Sequence, residues 1–160
     1  KDVAIFGIGS NPERRKILNY TEPVISKRVV VNTLKGKMIP EGNLHKMRIG
    51  VISGWSYGKN ADALLKKARI HTFPQGAALI LGLKYGRVDC ILTSINLGEG
   101  PADDSFEISK YALDHTSIYM AFNKNFDHTT DLKKINSALQ RLEKNGTLKK
   151  HIQAFFKNQK

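Results

Sequence analysis

Twice along this 160-residue chain a short apolar run passes through a glycine-rich turn into the start of a helix, and nothing else in the sequence limits the possible folds as much. The first instance is VAIFGIGSNPERRKILNYTEP, from Val3 to Pro23. Val3–Phe6 is long enough for one buried strand. Gly7 and Gly9 let the backbone turn tightly and come close to whatever lies above the strand end. Asn11 is a helix-capping residue, and Pro12 suits the first helical position, where its missing N–H would be unpaired anyway. Glu13, Arg14, Arg15 and Lys16 follow on the first turns. The N–H groups of such a helix start, with an arginine beside them, form a site for a carboxylate or another small anion. An ordinary capped helix with solvated arginines has the same spacing. The second instance runs from Met47–Ile52 through SGWSYGKN into Asn60–Ile70, which puts Ala61, Leu64, Leu65 and Ala68 on one helical face. Units of this kind predict an α/β fold in which helices cover a mainly parallel sheet.

Several function classes fall away early. Pro12 stands where a dinucleotide-binding G-x-G-x-x-G needs its third glycine, and no suitably placed acid follows about twenty residues later. The net charge of +12 invites a nucleic-acid reading, but the lysines are scattered. The densest cluster, Lys144, Lys149 and Lys150, accompanies no helix-turn-helix, zinc-finger or aromatic RNA-binding motif, so a solvated basic surface is expected and nucleic acid is not. Cys90 is the only cysteine and lies in the apolar run Val88–Leu92, as a buried structural thiol does. His45, His71, His115, His128 and His151 show no metal-ligand spacing, and neither a metal nor another cofactor is expected. No apolar run approaches the roughly 18 residues of a membrane span, so direct membrane insertion is not expected.

Between and beyond the two turns the elements follow in a regular order. Ile25–Asn32 is rich in β-branched residues and reads as a strand, and Thr33–Lys46 reads as a loop punctuated by Gly36, Pro40 and Gly42. A short extended piece ends at Phe73-Pro74. Gln75–Tyr85 is an apolar helix on all sides and is expected to be buried, with Gly86 at its C-terminal cap and Val88–Leu92 as the next strand. Leu97–Ser105 is a loop by composition, with Glu99, Asp103 and Asp104 expected to be solvated. Ile118–Phe122 is a strand. Thr130 begins a helix with Leu132, Ile135, Leu139 and Leu142 on one stripe, Gly146 closes it, and Leu148, Ile152, Phe155 and Phe156 line a last short helix.

The run GIGSNPERRKILNYTEP resembles a segment of the family 3 bacterial extracellular solute-binding proteins. These are two-lobed periplasmic binding proteins of the type II fold, mostly for polar amino acids. Their pattern is Gly-x-Ser/Thr-x-Thr-x-x-Arg, a hydrophobic turn, then Asp-Phe-Ser-x-Pro-Tyr; here Asn11-Pro12-Glu13-Arg14 and Asn19-Tyr20-Thr21-Glu22-Pro23 stand in those places. Gly54, Trp55 and Ser56 occupy the family's second ligand turn. Gly86-Arg87-Val88-Asp89 resembles its Gly-Arg-x-Asp-Ala stretch, and Leu132–Phe156 resembles its C-terminal helix pair. Five residues past that aspartate, amino-acid binders place an acid on the ligand ammonium, and this chain has Ser94.

The resemblance implies a two-lobed molecule with residues 1–32 and 116–160 in a first lobe, residues 33–115 in a second, and ligand in the cleft between them. The opening part of the family pattern has no counterpart, so the first lobe is expected to be incomplete, with an unpaired sheet edge and an uncovered apolar face. The ligand residues implied are Arg14 for a carboxylate, Gly7, Gly9 and Asn11 around it, Trp55 and Ser56 from the second lobe, and Ser94 at the ammonium end. The function implied is capture of a small polar, carboxylate-bearing ligand in the periplasm, for the permease of an ABC transporter or for a fused sensor module. A few members of this fold are enzymes, dehydratases or lyase-associated domains. Such an activity would need a general acid or base in the cleft, for which Glu13 is the nearest candidate.

Overall fold

The computed structural model describes residues 4–37, 42–95, 104–109, 112–125 and 127–157. In chain order the elements are β1 (Ala4–Gly9), α1 (Pro12–Ile17), β2 (Leu18–Tyr20), β3 (Ile25–Leu34), β4 (Arg48–Ile52), α2 (Lys59–Leu65), β5 (Arg69–Phe73), α3 (Gly76–Lys84), β6 (Cys90–Ile95), β7 (Phe106–Ile108), β8 (Asp114–Asn123), α4 (Thr129–Lys144) and α5 (Thr147–Lys157). The chain divides into two compact units. Unit one comprises Lys1–Ile25 with Ile118–Lys160, and unit two comprises Ser26–Ser117.

Unit two is built on the strand order β3-β6-β4-β5, with β7 added to β3. The parallel arrangement expected from the strand–turn–helix repeats holds where helices cross over: β4 pairs parallel with β5, Arg48 opposite Arg69 through Ile52 opposite Phe73, and with β6. β3 joins β6 antiparallel, so the sheet is mixed. Alternate side chains of the central strands feed two cores. Val29, Val31, Ile49, Val51, Cys90 and Leu92 meet Tyr57, Ala61 and the partly buried Leu64 and Leu65, the face covered by α2. Ile91 and Phe106, with Ile52 and Phe73 beside them, meet Leu79 and Leu83 of α3 on the other face. Burial on both faces is why these strands read as unbroken apolar runs. Arg48 ties the far end of β4 to β6, its Nη2 donating to Asp89 Oδ1 at 2.6 Å. That contact holds the Asp89 carboxyl below its usual range. Cys90 is buried, and burial, with Asp89 nearby, pushes its thiol up to about 12, which makes it structural rather than nucleophilic.

Some boundaries differ from those expected. β3 extends through Thr33 and Leu34 because β7 pairs with it there. The second helix ends at Leu65, and Ile70 belongs to β5. Two hydrophobic residues of α3, Leu81 and Tyr85 at its end, are 49% and 78% exposed, so this helix is buried on one face and not all round. The physical reason is that α3 lies on one face of the sheet, against β4, β5 and β6, which covers only one of its sides. Glu99, Asp103, Pro40 and Val3 lie outside the described residues, as do the side chains of Phe155 and Phe156; Asp104 is exposed as expected.

In unit one, β1 pairs antiparallel with β8, from Ala4 opposite Phe122 to Gly9 opposite Ile118, and β2 also pairs with β8. Thr21 is buried, and its hydroxyl donates to Glu22 O at 2.8 Å and accepts from Met120 N at 3.2 Å. Helix α4 is anchored by Asn136, whose Oδ1 accepts from Glu22 N at 2.7 Å. Among the described residues β1 is the outermost strand with an unpaired edge, and Phe6 on it and Ile17 on α1 are 65% and 64% exposed.

Candidate functional site

The first turn begins later than its glycines suggest. β1 runs on to Gly9, and its register slips between Phe6 and Ile8, with Gly7 at φ +82° inside the slip. Gly7 therefore sits at a bulge within the strand and not in the turn after it, and its positive φ is that of the glycine type of bulge. The chain leaves the strand after Gly9. Asn11, in extended backbone, caps α1 by accepting from Arg14 N at 2.8 Å, and Pro12 takes the first helical position. Arg14 folds its guanidinium back over the turn, Nη1 donating to Gly9 O at 3.0 Å. Gly9, Asn11 and Arg14 are thus brought together at the end of β1. Since Asn11 already satisfies the Arg14 N–H, the turn presents an anion mainly with a half-buried guanidinium. Glu13 is exposed, and both its carboxylate oxygens accept from Lys16 Nζ, at 2.8 and 2.7 Å.

Tyr20 was not singled out by its sequence position. Arg15 lies 5.1 Å above its ring and Tyr119 meets it edge-on at 5.4 Å. Its hydroxyl is buried and has no hydrogen-bond partner among the described residues. Burial pushes the phenol upward, against the pull of the Arg14 and Arg15 charges. The aromatic in the family-like stretch Asn19-Tyr20-Thr21 was the available signal.

The second turn follows β4. Gly54 takes φ +73°, and Trp55 is 55% exposed, its ring 6.3 Å from that of Tyr57. Tyr57 turns into the core and its hydroxyl accepts from Ile52 N at 2.8 Å. Asp62 organises the turn: Oδ2 accepts from Ser56 Oγ at 2.7 Å, and Oδ1 from Tyr57 N at 2.8 Å. The Ser56 proton is directed at Asp62, so the hydroxyl presents lone pairs outward. The backbone N–H groups at the start of α2 are not open either. Asp114 Oδ2 accepts from Asn60 N at 2.7 Å and from Ala61 N at 3.2 Å. Ser94 lies near the end of β6 opposite Val29. Because β4 and β6 are parallel neighbours, the Gly54–Ser56 turn and Ser94 occupy the same, carboxyl-terminal end of the sheet, where open α/β sheets hold ligands.

Gly58 shows how closely this turn is fitted. At φ +99° and ψ 165° it occupies a region almost reserved for glycine, and a Cβ there would lie 2.6 Å from Asp114 Oδ2. Gly58→Ala should lower unfolding stability by about 1–3 kcal/mol, read by urea denaturation, through strain and displacement of the Asp114 cap. Unchanged stability would show that the turn is not held in this form.

Residues 1–158 match the family model described as bacterial extracellular solute-binding proteins, family 3. A probable amino-acid-binding protein, YxeM of Bacillus subtilis, is 26% identical over 151 residues, which are 90% of this chain and 57% of that protein. The amino acid ABC transporter substrate-binding protein AbpA from Streptococcus pneumoniae, solved bound to L-arginine, superposes with a TM-score of 0.75 at 21% identity, covering 94% of this chain and 66% of that one. The ancestral amino acid-binding protein AncCDT-1, a precursor of cyclohexadienyl dehydratase, gives 0.73 at 23% identity over 90% of this chain and 64% of that one. The fold is that of type II periplasmic binding proteins, and the chain spans little more than half the length of the curated relative.

Proposed function

Because this chain belongs to the family 3 bacterial extracellular solute-binding proteins, we propose that it captures a small, polar, carboxylate-bearing solute for the permease of an ABC-type transporter or for a sensor module of the same kind. The observation that carries this is Arg14, half-buried and tied to Gly9 O at the end of β1. Held there, a guanidinium can pair with a carboxylate through two parallel hydrogen bonds. Gly9 and Asn11 line the same turn, and Gly7 sets the bulge that leads into it. The buried Tyr20 hydroxyl, lacking a partner among the described residues, supports a polar guest, since an unsatisfied group of this kind costs about 1–3 kcal/mol. Within unit two, Trp55 offers an apolar surface, Ser56 an acceptor and Ser94 a hydroxyl, all at the carboxyl-terminal end of the sheet.

Among the described residues no helix is long and apolar enough to cross a membrane. We assign the protein to the periplasm, in keeping with a family of extracellular binders. A thermal-shift screen of amino acids, amines and small carboxylates tests the function directly. A solute at about 100 times its Kd should add about 2.7 kcal/mol of stability. A response confined to amines lacking a carboxylate would overturn the proposed ligand class.

Ser94 leads to a narrower expectation. An ammonium enclosed with only a hydroxyl dipole is poorly compensated, and an unpaired buried charge costs several kcal/mol. Anionic or neutral carboxylates should therefore bind at least about tenfold tighter than the matching α-amino acids, and Ser94→Asp should reverse the order, a gap of about 1.4 kcal/mol per decade. Submicromolar binding of a standard amino acid to the unaltered protein, measured by calorimetry, would contradict it.

A further inference from the structure

The apolar surplus of α3 is not used by the solute site. Ala78, Leu81, Gly82 and Tyr85 fall on one helical stripe, and with residues of β5 they line a groove of about 510 Å³ on unit two. Ile70 on β5 and Leu81 on α3 are 47% and 49% exposed. β5 is the outermost strand of its sheet, paired only with β4 among the described residues, so its other edge carries backbone N–H and C=O groups able to accept a further strand. The charge around this edge has one sign. From Ala63 to Val88 the sequence contains no Asp or Glu; Lys66, Lys67 and Arg69 lead into and begin β5, and Arg87 lines the groove itself, while Lys84 turns away to lie 5.3 Å over the Phe106 ring. The next acid, Asp89, is held by Arg48 at 2.6 Å.

We propose that this groove is a docking site for an extended, acidic segment of a partner protein, which adds as a strand to the edge of β5. Guest side chains on the groove face would rest on the α3 stripe beside the small Ala78, interspersed with acids facing Arg69 and Arg87, which lie on that same face of the sheet. Strand addition of this kind draws affinity from main-chain hydrogen bonds and specificity from alternate side chains. A second copy of this chain is disfavoured as the occupant, because pairing β5 with itself would set these cations against one another.

The test uses the whole chain and two fluorescein-labelled peptides of about eight residues, in which every second residue is in turn leucine and glutamate, or leucine and lysine, with threonine between them. The glutamate peptide should bind at least about tenfold tighter in anisotropy titrations, lose most of that advantage near 0.5 M salt, and slow hydrogen exchange of the β5 amides. Leu81→Asp and Arg87→Glu should each weaken it about tenfold or more, with Arg87→Glu shifting preference toward the lysine peptide. Equal affinity for both peptides, protection elsewhere than β5, or full binding by Arg87→Glu would overturn the proposal. So would a dimer in sedimentation that Leu81→Asp abolishes, since the groove would then belong to a second copy.

Discussion

Replacing Arg14 with alanine should weaken binding of a carboxylate solute by about 2–5 kcal/mol, a loss of roughly thirtyfold to several thousandfold. The expectation follows from geometry. The guanidinium is held over the turn by Gly9 O at 3.0 Å, and Asn11 has already satisfied the Arg14 N–H, so the side chain is the turn's main anion group. Arg14→Lys should recover only part of the loss, because a point charge cannot form the two-pronged pair. Asn11→Ala supplies the contrast. It removes the helix cap, at a cost of about 1 kcal/mol in stability, but leaves the guanidinium in place, so its effect on affinity should be much smaller. Calorimetry showing unaltered affinity in Arg14→Ala would remove this arginine from the site.

What could be read from the sequence was what neighbouring residues decide together. Asn11 and Pro12 specify the start of α1 by local chemistry, and the structure has both in those roles. The two strand–turn–helix units point to the α/β class for the same reason. The parts that were not legible depend on residues far apart in the chain. The anion-binding potential at the start of α2 is taken up by Asp114, 54 residues beyond Asn60, and no local pattern announces that partner. β2 and β7, three residues each, are too short to show a period and exist because β8 and β3 pair with them. Gly7 reads as a turn residue because glycine serves tight turns and the glycine type of bulge alike, and only the pairing with β8 separates them.

Exposure at α3 was missed for a related reason. An apolar helix predicts burial, yet a helix lying on a sheet is covered on one side only, and α3 packs on β4, β5 and β6 with its other side outward. The trace left in the sequence is Gly82, an unfavourable residue in mid-helix, which usually signals close packing.

That packing leads to a stability effect of its own in unit two. A Cβ on Gly82 would lie 2.4 Å from Phe73 Cζ, and one on Gly50 would lie 3.2 Å from Phe73 Cε2. The ring is thus seated between two glycines and has no room to retreat toward β4. Gly82→Ala would gain about 1 kcal/mol in helix propensity, but overpacking costs about 1–3 kcal/mol and occasionally more. With the ring enclosed on both sides the clash should prevail, for a net loss of about 2 kcal/mol in urea denaturation. A Cβ on Gly76, at the start of the same helix, would meet nothing within 4 Å, so Gly76→Ala should be neutral or stabilise by up to about 1 kcal/mol. The same change at two sites of one helix should therefore have opposite signs. Phe73→Leu should relieve the clash, making Gly82→Ala with Phe73→Leu less destabilised than the sum of the single changes by at least about 1 kcal/mol. Additive effects, or a stabilising Gly82→Ala, would show that the ring is not held between the glycines.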